Sequence, residues 1–181
     1  MSISDKVVKP VAHRLLACLD EQRLKIDADV RPALIGLRPG NVMDLLLSMN
    51  DDECCRGIAW VRVDGVFPSA DNFPNPDLSP MQRCGIRQWA IRFEIGIARC
   101  APTPGARKMT TTDTWNIAAD QIYDDFAALD KTICCFADGY RWAWMAGQWT
   151  PLPTGGRCMG GSMQLTVAAP ACNCGPDDSP S

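Results

Sequence analysis

The fifteen residues of the stretch IRQWAIRFEIGIARC, Ile86 to Cys100, constrain the fold of this chain most strongly. Apolar side chains recur at every second position, namely Trp89, Ile91, Phe93, Ile95 and Ile97. Because successive side chains of a strand point to opposite faces, the run predicts a β-strand with one face on a core and the other on water or a neighbour. At ~3.3 Å per residue the strand would span roughly 50 Å, whereas ordinary strands have about five or six residues. We therefore expect it to overhang its own core and to pair with another subunit.

The remaining segments predict helices and strands separated by long loops. Helices are expected at Ser4–Leu24, where Ser4 can cap the first turn, at Val42–Met49 and at Thr114–Thr132. Strands are expected at Gly57–Phe67 and Cys158–Ala168, and on both sides of an Asp138-Gly139 turn within Cys134–Trp149. Proline and glycine predict loops at Asp27–Gly40, Pro68–Pro80 and Ala101–Thr112, and the second of these is expected to be an extended contact arm. The prediction is one α+β domain over residues 1–169, a mostly antiparallel β-sheet flanked by two helices, followed by a flexible tail over residues 170–181.

Charge and hydropathy exclude several classes of function. The 181 residues carry a net charge of −3, with a pI of about 5.1 and no basic run. A nucleic-acid reader is therefore not expected, although a mildly acidic protein could line a passage for DNA without retaining it. The sequence has no stretch of about eighteen apolar residues, so no membrane helix is expected. The charged N-terminus, MSISDKVVKPVAHRLL, does not resemble a signal peptide, so we expect the protein to stay in the cytoplasm where it is made.

The ten cysteines do not follow the spacing of a structural zinc site. Six of them form two adjacent pairs and one CNC group, and the only histidine, His13, is expected at the surface. Buried free thiols are the simplest interpretation, with disulfides open as an alternative if the protein meets oxidising surroundings. Two acidic groups predict solvated surface rather than a metal site: Asp51, Asp52 and Glu53 in one, and Asp120, Asp124, Asp125 and Asp130 on the second long helix in the other. No metal or cofactor is expected.

Motifs of catalysis are missing from the sequence. It has no GxSxG, HExxH, GxGxxG or phosphate-loop pattern, and nothing marks one cysteine as a partner of His13. An enzyme is therefore not expected, although a thiol enzyme and a cysteine-rich metal-binding module stay open as alternatives. Four aromatic residues, Tyr140, Trp142, Trp144 and Trp149, lie close together in the sequence. In an acidic chain such a row favours a core or a subunit contact over base stacking.

Several local phrases accompany this order of elements. They are Cys54-Cys55 leading into a VRV strand with VFPS and a nearby FP, CG at Cys84-Gly85, ARCAP at Ala98–Pro102, ICC at Ile133–Cys135, and GQWTPLPTGGRCMGGSMQLTV at Gly147–Val167. Together they resemble the tail terminator proteins of long-tailed phages, in particular those that infect actinobacteria. The resemblance covers nearly the whole chain, and its last phrase is the most specific part.

The resemblance implies a non-catalytic virion protein. It implies a homo-oligomeric, hexameric ring that sits on the head-proximal end of the tail tube, stops its growth and joins the tail to the neck, while genomic DNA passes through the lumen. The expected partners are other copies of the chain, the major tail tube protein and the head–neck connector; a head-to-tail stopper is the alternative. Candidate subunit-interface residues are Arg92 and Glu94 on the polar face of the long strand, Trp142 and Trp144 in the aromatic row, and Pro74 and Pro76 in the proline-rich arm. Charge reversal at Arg92 or Glu94 is expected to impair assembly more than folding.

Overall fold

The computed structural model describes residues 7–39, 55–69, 71–77, 88–102, 111–152 and 158–170. In this part of the chain the elements are α1 (Val8–Arg23), β1 (Leu34–Leu37), β2 (Ile58–Pro68), β3 (Gln88–Cys100), α2 (Thr112–Ala137), β4 (Trp144–Pro151) and β5 (Cys158–Pro170). The strands form one five-stranded sheet in the order β1-β2-β3-β5-β4. Only the β1–β2 pair is parallel, so the prediction of an α+β fold with a mostly antiparallel sheet and two helices is confirmed.

The long strand β3 lies at the centre of the sheet. Along one side it pairs with β2 from Trp89 to Ala98, and along the other it pairs with β5 over its whole length, from Gln88 to Cys100. The prediction that this strand overhangs its own core was therefore wrong. β5 is as long as β3, so the backbone of β3 finds its partners within one subunit.

The alternation of apolar residues in β3 does predict which face meets the helices. Four residues at odd positions of β3 form one buried cluster with Ala59 and Val61 of β2, Leu165 and Val167 of β5, and apolar residues of α1 and α2. The four are Ile91, Phe93, Ile95 and Ile97. Both helices therefore cover the same face of the sheet. The even positions of β3 were expected to face water or a neighbour, but most of them are also buried, because the Trp60 indole covers part of that face.

Gly96 on β3 leaves room for this indole. A Cβ atom built at Gly96 would lie 2.7 Å from Cη2 of Trp60, whose side chain is fully buried. We expect Gly96→Ala to lower the free energy of unfolding by about 1–3 kcal/mol, because the ring cannot move without disturbing a packed region. Gly65→Ala in β2 is the matched control, since nothing lies within 4 Å of a Cβ atom at Gly65. Equal stability of the two variants in urea unfolding would contradict this packing.

Three segments differ from their predicted conformation. The predicted loop Asp27–Gly40 contains β1, which hydrogen-bonds in parallel to the start of β2. The predicted strand at Cys134 is instead the last turn of α2, which ends at Ala137. Helix α2 begins at Thr112, two residues before the predicted start at Thr114, and the Thr111 hydroxyl caps it by accepting a hydrogen bond from the Thr114 N–H. The Asp138-Gly139 turn thus joins a helix to a strand, and only β4 remains of the predicted strand pair.

Apolar residues at helical spacing in α2 predict a buried stripe through Trp115, Ala118 or Ala119, Ile122, Phe126, Leu129 and Ile133, but the helix buries a different one. Leu129 and Ile133 are buried as predicted, but Trp115 and Phe126 are 48% and 41% exposed. The acidic side expected to face water includes Asp125, which is only 1% exposed. The buried stripe is therefore rotated about the helix axis toward Asp125.

Disulfides link several elements. Cys18 of α1 is bonded to Cys135 of α2, and Cys55 before β2 is bonded to Cys100 at the end of β3. Cys158 is also disulfide-bonded, whereas Cys134 is a free and exposed thiol. Buried free thiols were therefore the wrong interpretation for these five bonded cysteines.

The proline-rich segment after β2 is compact in its described part. The Asp77 N–H donates to Pro68 O at 2.9 Å, and the Ser69 hydroxyl donates to Asn75 O at 2.9 Å. The peptide bond between Phe73 and Pro74 is cis. Residues 71–77 thus fold back beside the end of β2 instead of extending as an arm.

Other sequence predictions lie outside the described residues. They are the Ser4 cap, the helix Val42–Met49, the acidic turn Asp51–Glu53 and the tail after Pro170, which itself ends β5.

Tyr140 closes the junction between α2 and β4. Its hydroxyl donates to Ala168 O at 2.6 Å, and burial raises the pKa of Tyr140 to about 12, opposed by the charge of Arg14. A tyrosine in the unfolded chain ionises near pH 10. Because the pKa of Tyr140 is higher in the folded protein than in the unfolded chain, the neutral tyrosine stabilises the fold. This contribution to the free energy of unfolding is complete below about pH 10 and is lost as the pH rises toward 12.

We therefore expect the free energy of unfolding to fall between pH 10 and 12, and Tyr140→Phe to make that fall shallower. Urea unfolding across this range measures the difference between the variant and the parent protein. Tyr123→Phe, which alters an exposed tyrosine on α2, is the control. A Tyr140→Phe protein that loses stability as steeply as the parent would contradict this assignment.

Candidate functional site

Two stretches of backbone at opposite edges of the sheet lack a neighbouring strand in the described part of the protein. Strand β4 pairs only with β5, so its outer side is free. At the other edge β1 pairs with β2 only from Ile58 to Val61, so the second half of β2 has no described neighbouring strand on that side, although Pro68 O at its end accepts a hydrogen bond from the Asp77 N–H. Exposed strand edges are templates for pairing with another chain.

A single row of register partners connects these two edges across four strands: Val66, Ile91, Val167 and Trp144. The two inner members are fully buried, whereas Val66 is 43% and Trp144 is 42% exposed. Register partners share a face, and Ile91 belongs to the cluster under the helices. The row thus has two buried residues in the middle of the sheet and one exposed apolar side chain at each edge.

Helix α2 extends this apolar surface beside β4. The Phe126 ring packs edge-on against the Trp149 ring of β4, with ring centroids 6.1 Å apart. Trp115, Ile122 and Phe126 are seven and four residues apart, so they share one side of the helix. The exposed apolar residues of this region are Trp115 and Phe126 on α2, Trp144 on β4, and Trp142 two residues before Trp144. Exposed apolar surfaces of this kind are typical of contact sites between proteins.

The β4 edge is interrupted by a register shift between Ala146 and Trp149. Such bulges limit open-ended strand addition. Before this shift, the regular pairing of β4 with β5 is confined to Trp144, Met145 and Ala146.

The six residues proposed from the sequence fall in different places. Trp142 and Trp144 are exposed at the β4 edge, and Trp142 is 47% exposed. Pro74 is half-buried and Pro76 exposed in the turn that follows β2. Arg92 is half-buried, with its guanidinium 5.3 Å from the centroid of the Phe67 ring. The structure therefore brings Trp142 and Trp144 together and places the prolines near the other edge.

Glu94 lies inside the subunit and is only 8% exposed. Its carboxylate accepts hydrogen bonds from Trp60 Nε1 at 3.2 Å and from Arg62 at 2.6 Å. Burial lowers the pKa of the Arg62 guanidinium, but Glu94 and Asp64 outweigh it and raise that pKa overall. Charge reversal at Glu94 would place two cations together in a buried site. The expectation that this change spares folding is therefore replaced by an expected loss of stability.

A second buried ion pair was missed in the sequence. The guanidinium of Arg99, at the end of β3, donates through Nε to Asp125 Oδ2 at 2.6 Å and through a second nitrogen to Oδ1. The two side chains are 8% and 2% exposed. Burial raises the pKa of the Asp125 carboxyl, while the hydrogen bond and charge of Arg99 oppose that rise. The pair fixes α2 to the central strand.

Among the described residues no group of three or more histidine, cysteine, aspartate or glutamate side chains is placed to hold a metal ion. His13 is exposed on α1. None of the described helices combines the length and hydropathy needed to cross a bilayer.

Comparisons with known proteins give no family assignment. No protein-family model matches the sequence, and no curated protein matches it.

Proposed function

We propose that this chain is a structural subunit of a phage tail, a tail terminator whose copies form a hexameric ring on the head-proximal end of the tail tube. In this role it stops polymerisation of the tube, joins the tail to the neck connector and performs no catalysis. The local sequence phrases that resemble tail terminator proteins support the assignment to a phage tail. The two free sheet edges support the ring.

The row from Val66 to Trp144 is the observation that carries the proposal. A contact that places the Trp144 edge of one copy against the Val66 edge of the next would continue the row into a second sheet. The two edges are different surfaces, so such a contact is heterologous, and heterologous contacts close into rings when the rotation between copies allows it. Aromatic anchors such as Trp144 and Phe126 are the side chains that dominate protein interfaces.

The charge of the chain suits passage of DNA through such a ring. The net charge is −3, and an acidic lumen would repel DNA phosphates. We infer that the subunits are made in the host cytoplasm and act in the virion. Because cytoplasmic thiols are kept reduced, the disulfides of this protein would form after release from the cell.

Electron microscopy of particles with an affinity label on this chain tests the proposal. We expect the label between the head and the first ring of the tail tube, on a single ring of density. A label beside the portal would favour the head-to-tail stopper instead. A label that never joins particles would contradict both assignments.

A further inference from the structure

A cavity of about 340 Å³ lies at the end of β3 that is remote from Val66 and Trp144. Three arginines line it, Arg31 from the loop before β1, Arg56 from the segment before β2, and Arg99 from β3. Among the described residues of the lining, Asp29 is the only carboxylate. Pockets of roughly 300 Å³ and above are large enough for small ligands.

Two of these arginines have charges that no carboxylate in the described structure neutralises. Arg31 donates only to backbone carbonyls at the end of α1, at 2.8 Å to Leu24 O and at 3.2 and 3.1 Å to Ile26 O. Arg56 is exposed and takes part in none of the ion pairs of the described residues. Arg99 differs, because Asp125 balances its charge. The part of the lining that the structure describes therefore carries an excess of positive charge, in a chain whose net charge is −3.

The backbone around the cavity is held in place before any ligand arrives. The disulfide between Cys55 and Cys100 joins the segment that carries Arg56 to the end of β3. The carbonyl of Arg56 accepts a hydrogen bond from the Ala33 N–H at 2.8 Å. Gly57 has a φ of 74°, and a Cβ atom there would lie 2.8 Å from Pro32 Cα, so this turn packs closely against the Arg31 loop. Preorganised donors lose little entropy on binding.

We propose that this cavity binds a phosphate group, either as the free ion or as part of a small phosphorylated molecule. The planar guanidinium presents several donors that match phosphate oxygens in pairs, and it stays charged at all physiological pH values. Arg31 is anchored by its carbonyl contacts, whereas Arg56 is free to close over the anion. Gln121 of α2 adds a neutral amide to the lining. The site lies at the other end of β3 from the proposed subunit contact and does not depend on it.

Titration calorimetry of the full chain tests the proposal, with inorganic phosphate in one arm and glycerol 3-phosphate in the other. We expect one site per chain with a Kd of about 1 mM or tighter in at least one arm. Arg56→Gln should raise this Kd about tenfold or more, because a charge-assisted hydrogen bond is lost. Arg141→Gln is the matched control, since Arg141 is exposed outside the cavity and its removal changes the net charge equally.

The two arms separate the two sources of the anion. Tighter binding of glycerol 3-phosphate indicates a small phosphorylated molecule, and equal binding indicates that the phosphate group alone is recognised. The absence of saturable binding in both arms would overturn the proposal. Equal weakening by Arg56→Gln and Arg141→Gln would also overturn it, because the effect would then come from net charge alone.

Discussion

Replacing Asp125 with asparagine is expected to lower the free energy of unfolding by about 3–5 kcal/mol. The side chain of Asp125 is only 2% exposed and receives both hydrogen bonds of the Arg99 guanidinium. Removing the carboxylate charge leaves that guanidinium buried without its counter-ion. Asp124→Asn is the matched control, because it changes the exposed aspartate next in sequence on the same helix. Urea unfolding of both variants with the disulfides intact measures the difference.

The complementary change, Arg99→Met, should be about as destabilising at neutral pH. Burial already raises the pKa of Asp125, and loss of the Arg99 charge raises it further. Because the folded pKa is then above the unfolded value, stability falls as the pH rises through the folded pKa and returns as the pH is lowered. The double variant Arg99→Met/Asp125→Leu should lie within about 2 kcal/mol of the parent protein, since it buries no unpaired charge. Two single variants as stable as Asp124→Asn would disprove this role of the pair.

Trp144→Glu is expected to abolish ring formation while leaving the subunit folded. The change places a charge at the exposed end of the row, and loss of an aromatic anchor weakens an interface contact by about 2 kcal/mol or more. That is about 30-fold for each contact, and a closed ring repeats the loss at every interface. Because Trp144 is 42% exposed, the isolated subunit should lose about 1–3 kcal/mol of stability and stay folded. Light scattering coupled to size-exclusion chromatography measures the assembly state.

Val66→Glu should have the same effect from the opposite edge of the sheet. Each variant keeps one intact edge, so a mixture of the two should form heterodimers that grow no further. Ile117→Glu is the control, because Ile117 is 61% exposed on a different side of α2. If the contact were two-fold symmetric instead, mixing the two variants would restore no pairing between them. Full assembly of the Trp144→Glu protein would exclude the β4 edge from the interface.

Local patterns predicted the elements whose signals lie within their own sequence. The period of two in β2, β3 and β5 predicted these strands, and in β3 it also predicted the face that meets the core. β1 was missed because Leu34–Leu37 is short and lies among prolines and glycines, and it becomes a strand only by pairing with β2. Cys134 to Ala137 were assigned to a strand, although Phe136 is buried as part of the helical stripe of α2.

The candidate site depended on facts that no local pattern contains. The sequence alone identified Trp144 as a candidate contact residue, because it belongs to the aromatic row. It could not show that β4 lies at the sheet edge or that Val66 is exposed, because both depend on the order of the strands. The buried role of Asp125 also follows from a distant partner, since Arg99 is 26 residues away in the chain. The overhang predicted for β3 failed for the same reason, because the length of β5 decided whether β3 had a partner.

Native mass spectrometry of the purified chain tests the central claim most directly. The account predicts one closed assembly of six copies in the parent protein, monomers for Trp144→Glu, and dimers when the Trp144→Glu and Val66→Glu chains are mixed. A parent protein that stays monomeric at every concentration, or that stops at a dimer, would contradict it.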